Sequence, residues 1–111
     1  MSFERFDVVV VPFPFTDRAA AKRRPALVIS DAANFNNKIG HSVMAMITSA
    51  SHAPWPLDVV IEDLDAAGVP APSVVRMKLF TLDHRFVIRK AGRLAPEDMK
   101  QVNSALVRLA G

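Results

Sequence analysis

Residues 7–13 read DVVVVPF, with valine at four consecutive positions from Val8 to Val11. An unbroken β-branched run of this kind marks a strand covered on both faces. Further short runs follow. Pro25 opens the run ALVIS, proline being tolerated at the first residue of a strand. SVMAMITS at 42–49 predicts a third strand and Leu57 to Ile61 a short fourth. SVVRMKLFTL alternates as a strand from Val74 to Leu82, while residues 86–94 fit either a short strand or an irregular connection. Asn34, Asn36, Asn37 and Gly40 mark one connecting loop, and Gly68, Pro70 and Pro72 another.

Only the last stretch carries a helical period. Pro96 takes a first helical position, Glu97 and Asp98 suit the positive N-terminal end, and Met99, Val102, Leu106 and Leu109 recur at helical spacing before Gly111. Parallel βαβ units lack the helices they need. The expected fold is therefore mainly β (α+β): a small SH3-like antiparallel β-barrel or curled sheet with a C-terminal α-helix packed against it. With 111 residues, half of them apolar, the chain has room for one domain over 1–111 with a real core.

Several classes of function fall away on composition. There is no cysteine, so disulfide frameworks, thiolate zinc sites and a thiol nucleophile are excluded, and a reducing cytoplasm is the expected location. The run Val8 to Val11 is too short for a bilayer span or a signal peptide, which predicts a soluble protein with no membrane partner. Four glycines build no phosphate-cradling loop. His41, His52 and His84 fall in separate segments and read as surface or loop residues; neither metal nor cofactor is expected. Asp63 and Asp65 lack the glycine and distal glutamate of a calcium loop and read as a solvated turn.

Fourteen Lys and Arg against eleven Asp and Glu leave a net charge of +3. Arg18, Lys22, Arg23 and Arg24 cluster, while Asp58, Glu62, Asp63 and Asp65 form an acidic stretch elsewhere. Such segregation suits a one-faced phosphate-binding surface, and equally a pair of solvated loops.

Taken in order, DVVVVPFPFTDRAAAKRRPALVIS at 7–30, MAMITS at 44–49, SVVRMKLFTLD at 73–83 and the helical ending resemble the MazF/PemK/Kid toxins over nearly the whole chain. The resemblance implies a homodimeric endoribonuclease acting on single-stranded RNA without a metal. It also implies a cognate antitoxin whose acidic, disordered segment competes for the basic surface. Arg24, immediately before Pro25, matches the family's active-site arginine, and Thr48 its threonine at the end of the third strand; these are the catalytic candidates. Phe15, Thr16, Lys22, Arg23, Ser49, Arg76 and Lys78 are the candidate RNA contacts. The family also uses an arginine and an aspartate in the segment matching 74–79; here Arg76 is present, but Lys78 stands two positions on and the acid has no occupant. Phe6 takes the place of a usual glycine, which reads as a packing variation.

The implied chemistry is self-consistent. RNA carries its own nucleophile, the ribose 2′-hydroxyl, so an enzyme need only align the attack, move protons and stabilise charge on the phosphorane oxygens. A guanidinium suits the charge role by meeting two phosphate oxygens at once, and a threonine hydroxyl can hold another. A permanently protonated arginine is a poor general base, which leaves Asp83, His84 and His52 as candidates. Products would carry a 2′,3′-cyclic phosphate and a 5′-hydroxyl. Phe15, Phe35 and Trp55 read either as packing or as surfaces for splayed bases. Two rival readings remain: a CcdB-like toxin that binds DNA gyrase on the same fold, and an RNA-binding barrel without catalysis.

Overall fold

The computed structural model describes residues 2–13 and 22–111. The elements are β1 (Asp7–Phe13), β2 (Lys22–Val28), a π-helical turn (Ala32–Asn36) running into α1 (Asn37–Ile39), β3 (His41–Ser49) and β4 (Val59–Val60). There follow α2 (Leu64–Ala67), β5 (Ser73–Asp83), a 3-10 turn (His84–Phe86), β6 (Arg89–Arg93) and α3 (Pro96–Ala110). The strands form one antiparallel sheet in the order β4-β5-β3-β2-β1-β6, which curls into a half-barrel around α3. The expected mainly β architecture with a C-terminal helix is what the chain adopts.

Both faces of the sheet are covered, which is why the valine run is continuous. Val8, Leu27, Ala45, Ile47, Val75 and Met77 join Val102 and Ala105 of α3 in one core. Val9, Val11, Ala26, Val28, Met44 and Leu82 face the other way and close over Phe3, with Phe80 and Val87 beside them. Alternation along each strand thus assigns each residue to the helix side or to the opposite side.

Some boundaries differ from expectation. β2 begins at Lys22, so Pro25 lies inside the strand opposite Val10. The β2–β3 ladder covers only Ala26 to Val28 and stops at Pro25, which has no N–H with which to extend it. Of the two readings of 86–94, a short strand holds for Arg89–Arg93, paired to β1. Asp63 is more than a solvated turn: its carboxylate caps α2 by accepting from Ala66 N at 3.0 Å. Asp98 does more than complement the helix end. It is buried and accepts the backbone N–H groups of Glu62 and Asp63, each at 3.1 Å, tying α3 to the chain before α2. Leu109 keeps the helical spacing but is 46% exposed, because the last turn of α3 has run past the core.

Phe6 has φ 76°, in the left-handed region where glycine is at ease. What sets Phe6 apart is therefore its backbone as well as its packing. Phe6 is held there by its N–H to Val28 O at 2.7 Å and by Leu94 N–H to its own carbonyl at 3.1 Å. Among the described residues no helix is long and apolar enough to cross a membrane.

Candidate functional site

The pairing of β2 with β3 sets Ala26 opposite Met46. Two residues further along each strand, Arg24 comes level with Thr48. Both share the parity of the residues facing away from α3, Ala26 and Val28 in β2 and Met44 in β3. Phe13 continues the same face of β1 from Val9 and Val11. With the ladder stopped at Pro25, the two strands leave a gap at this end of the sheet.

β5 forms the far wall. Its register against β3 slips between Ala45 and Met46: Leu79 lies opposite Ala45 while Arg76 lies opposite Met46, so Met77 and Lys78 form a bulge. Bulges re-aim side chains and recur beside functional sites. Here Met77 goes to the helix-side core, while Arg76, Lys78 and Phe80 line the gap. The result is a cleft of about 360 Å³ lined by Phe13, Arg24, Met46, Ile47, Thr48, His52, Arg76, Lys78, Leu79 and Phe80.

Four of the candidate residues, Arg24, Thr48, Arg76 and Lys78, therefore meet around one cavity although they come from three strands. Others do not. Lys22 and Arg23 are exposed at the start of β2 and do not line it. Ser49 has the opposite parity to Thr48, and its hydroxyl pairs with Ser51 Oγ at 2.8 Å. Phe15, Thr16 and Arg18 lie outside the described residues. Phe35 sits half-buried in the π-helical turn, away from the cleft.

Two residues of the 50–58 loop complete the site. His52 Nδ1 shares a 2.7 Å hydrogen bond with Thr48 Oγ1. Asp58 accepts from Arg76 Nε at 3.1 Å and Nη2 at 2.9 Å, and Nη2 also donates to Ala53 O at 2.8 Å. The bond to Asp58 raises the Arg76 pKa above its already high ordinary value. Arg76 is thus a strut for the loop, with much of its donor capacity already used. Among the described residues no carboxylate pairs with Arg24, and Lys78 is exposed with its Nζ 4.7 Å from the Trp55 ring centroid. Asp58 had only its place in an acidic stretch to mark it. The partner it serves is eighteen residues away, and no local pattern signals such a pair.

The other two proton-transfer candidates are elsewhere. Asp83 is paired with His41 at the opposite end of β3, and Thr48 lies seven residue steps along the strand from His41, roughly 23 Å. There the Arg85 side chain and backbone hold the Asp83 carboxyl down at about 2. His84 bonds Ser42 Oγ at 2.7 Å against the Phe3 ring, and burial lowers its pKa. Among the described residues, no group of three or more histidine, aspartate or glutamate side chains is placed to hold a metal ion.

The family model described as PemK-like, MazF-like toxin of type II toxin–antitoxin system matches residues 4–110. The fold is similar to that of a chain in a MazE–MazF crystal structure from Deinococcus radiodurans, with 25% identity, TM-score 0.78, and coverage of 100% of this chain and 98% of that one. It is also similar to a mycobacterial endoribonuclease solved with its cognate antitoxin (20% identity, TM-score 0.73, covering 96% and 91%). The Mycobacterium tuberculosis toxin MazF-mt6 shares it as well (17%, TM-score 0.72, covering 92% and 93%). Among curated proteins none matches the chain in sequence.

Proposed function

Since the chain belongs to the PemK-like, MazF-like toxins of type II toxin–antitoxin systems, a family known as endoribonucleases, we propose that its cleft cuts single-stranded RNA by attack of the ribose 2′-hydroxyl. The observation that carries this reading is the meeting of an arginine free of carboxylate partners among the described residues, Arg24, with a threonine–histidine pair, Thr48–His52, in one open cleft.

Each group has a role that its chemistry allows. Arg24 meets two oxygens of the scissile phosphate and stabilises the charge that builds on them as phosphorus becomes five-coordinate. With the imidazole hydrogen on Nδ1, His52 donates to Thr48 Oγ1. The threonine hydroxyl hydrogen is then available to a phosphate oxygen, and His52 Nε2 is available as a base. The 2′-hydroxyl proton passes to Nε2 as the O2′–P bond forms. The P–O5′ bond breaks, the 5′-oxygen takes a proton from water at the open side of the cleft, and a 2′,3′-cyclic phosphate remains. The imidazolium then returns its proton to solvent. No metal is needed because the nucleophile is intramolecular.

His52 thereby takes the part that the family gives to a carboxylate, which Lys78 cannot fill. Asp83 and His84 lie too far along β3 to share it. On this reading the partners are single-stranded RNA, a second copy of the chain in a homodimer, and a cognate antitoxin. An acidic, disordered antitoxin segment would compete with RNA for the cations of β2 and the cleft; relatives of this fold have been solved as MazE–MazF complexes. The cytoplasm is the matching location.

The test is cleavage of a long, mixed-sequence RNA. Arg24→Ala is expected to lower the rate about 10²–10³-fold with unchanged circular dichroism. A normal rate in that variant overturns the assignment. Binding of DNA gyrase without any RNA cleavage would favour a CcdB-like binder instead.

A further inference from the structure

Trp55 is the chain's single tryptophan, and it is 40% exposed. Tryptophan is seldom fully buried, but this one is also held in place. Pro54 and Pro56 flank it and restrict the backbone on either side. Its backbone N–H donates to Asp58 Oδ2 at 3.1 Å, its carbonyl accepts from Asp58 N at 3.2 Å, and the same carboxylate is clamped by Arg76. Arg76 in turn donates to Ala53 O at 2.8 Å. The loop is thus bracketed at Ala53, Trp55 and Asp58 by one ion pair.

That bracket sets the ring among the cations of the cleft. Lys78 Nζ lies 4.7 Å and Arg76 Cζ 5.8 Å from the ring centroid, and both residues line the cavity shared with Arg24 and Thr48. A ring 40% exposed, with an ammonium over it that pairs with no carboxylate among the described residues, matches a flat aromatic group joined to an anion. A nucleotide has both parts. An acidic peptide would use the ammonium and leave the ring idle.

We propose that Trp55 and Lys78 form a nucleotide subsite next to the scissile phosphate: the indole stacks one base flanking the cut, and Lys78 takes that nucleotide's phosphate. This rests on the nuclease reading of the cleft and adds its base-recognition element. Recognition is by stacking, which every base can do and larger purines do over more area. The carboxylate of Asp58 acts through Trp55 and Arg76 as a positioning group.

A single tryptophan makes the test direct. The probe is a mixed-sequence, single-stranded RNA with 2′-O-methyl groups throughout, which lacks the nucleophile and cannot be cut. Its binding is followed by Trp55 emission and, with a fluorescent label, by anisotropy. Quenching with wild type is expected, with affinity kept by Trp55→Phe and weakened about tenfold by Trp55→Ala. An abasic strand of the same length should bind more weakly and leave the emission unchanged. Lys78→Ala should weaken the full strand and keep the quenching at saturation. The proposal is overturned if the oligonucleotide binds without changing the emission, if Trp55→Ala binds as tightly as wild type, or if the strand does not bind. Quenching by poly-glutamate and not by the oligonucleotide would also overturn it, in favour of a peptide site. Cleavage of natural RNA, scored separately, tells the two readings apart: quenching without cutting leaves the subsite standing and removes the nuclease, whereas cutting without quenching does the reverse.

Discussion

Asp58 grips Arg76 with both carboxylate oxygens, at 3.1 Å to Nε and 2.9 Å to Nη2, and so fastens the loop after β3 to the strand that forms the far wall of the cleft. The fit depends on the planar fork of the guanidinium, which a lysine ammonium cannot reproduce. Arg76→Lys keeps the charge and loses the two-point clamp. Amide exchange over residues 53–58 is expected to quicken in that variant, with a red shift of the Trp55 emission as its ring gains water. Unchanged exchange would mean that the loop holds itself without the pair.

The Thr48–His52 pair leads to a prediction of a different kind, on rate. Thr48→Val removes the hydroxyl while keeping the β-branched shape, and Thr48→Ser keeps the hydroxyl. Cleavage should fall about a hundredfold in the first and much less in the second. His52→Gln should lower the rate about 10²–10⁴-fold, since the proposed base is gone. A normal rate in His52→Gln would show that another group is the base.

His84 governs stability in place of rate. Burial lowers its pKa, with the His41 charge adding to the effect and Asp83 opposing it. The unfolded chain, with an ordinary histidine near 6.5, therefore binds a proton more readily than the folded one. Stability is held above that value and declines as pH falls through and below it. Thermal melting between pH 7.5 and 5 should show this loss, and His84→Gln should shrink it while leaving RNA cleavage at pH 7.5 close to normal. An identical slope in the variant would assign the loss to other groups.

Gly68 holds α2 against β6. It has φ +72°, and a Cβ added there would meet Ala91 O at 2.1 Å and Ala91 C at 2.7 Å, backbone atoms that cannot swing away. Left-handed strain and the forced separation together cost about 2 kcal/mol or more in Gly68→Ala. The melting temperature should drop by roughly 8 °C or more. Gly40, also at positive φ but with nothing within 4 Å of an added Cβ, should lose less on the same substitution.

Chelation and sugar chemistry test the proposed reaction itself. Cleavage should continue unchanged in excess EDTA, and DNA of the same sequence should survive because it lacks the 2′-hydroxyl. Product ends should be 2′,3′-cyclic phosphate and 5′-hydroxyl, read by mass spectrometry. Activity lost on chelation and restored by a divalent ion would overturn the intramolecular scheme.

Much of the architecture was legible from local pattern. The valine run announced a strand covered on two sides, and Val8 with Val9 indeed serve two different cores. Pro96 and the spacing of Met99, Val102 and Leu106 marked α3. Pro25 misled the start of β2, because a proline inside a strand is tolerated where the neighbouring ladder has already ended, and that depends on β3. Phe6 hid a left-handed backbone behind a bulky side chain.

The chain alone determined its longer strands, its C-terminal helix and the two-sided burial of its first strand, since these are written in neighbouring residues. Only the folded chain decided that β2 parts from β3 at Pro25, that β5 bulges at Met77 and Lys78, that Asp58 belongs to Arg76 and that His52 reaches Thr48. Those relationships join residues through strand register and loop closure, and register is a property of the assembled sheet, where a shift by one residue would turn the strand side chains among them to the other face.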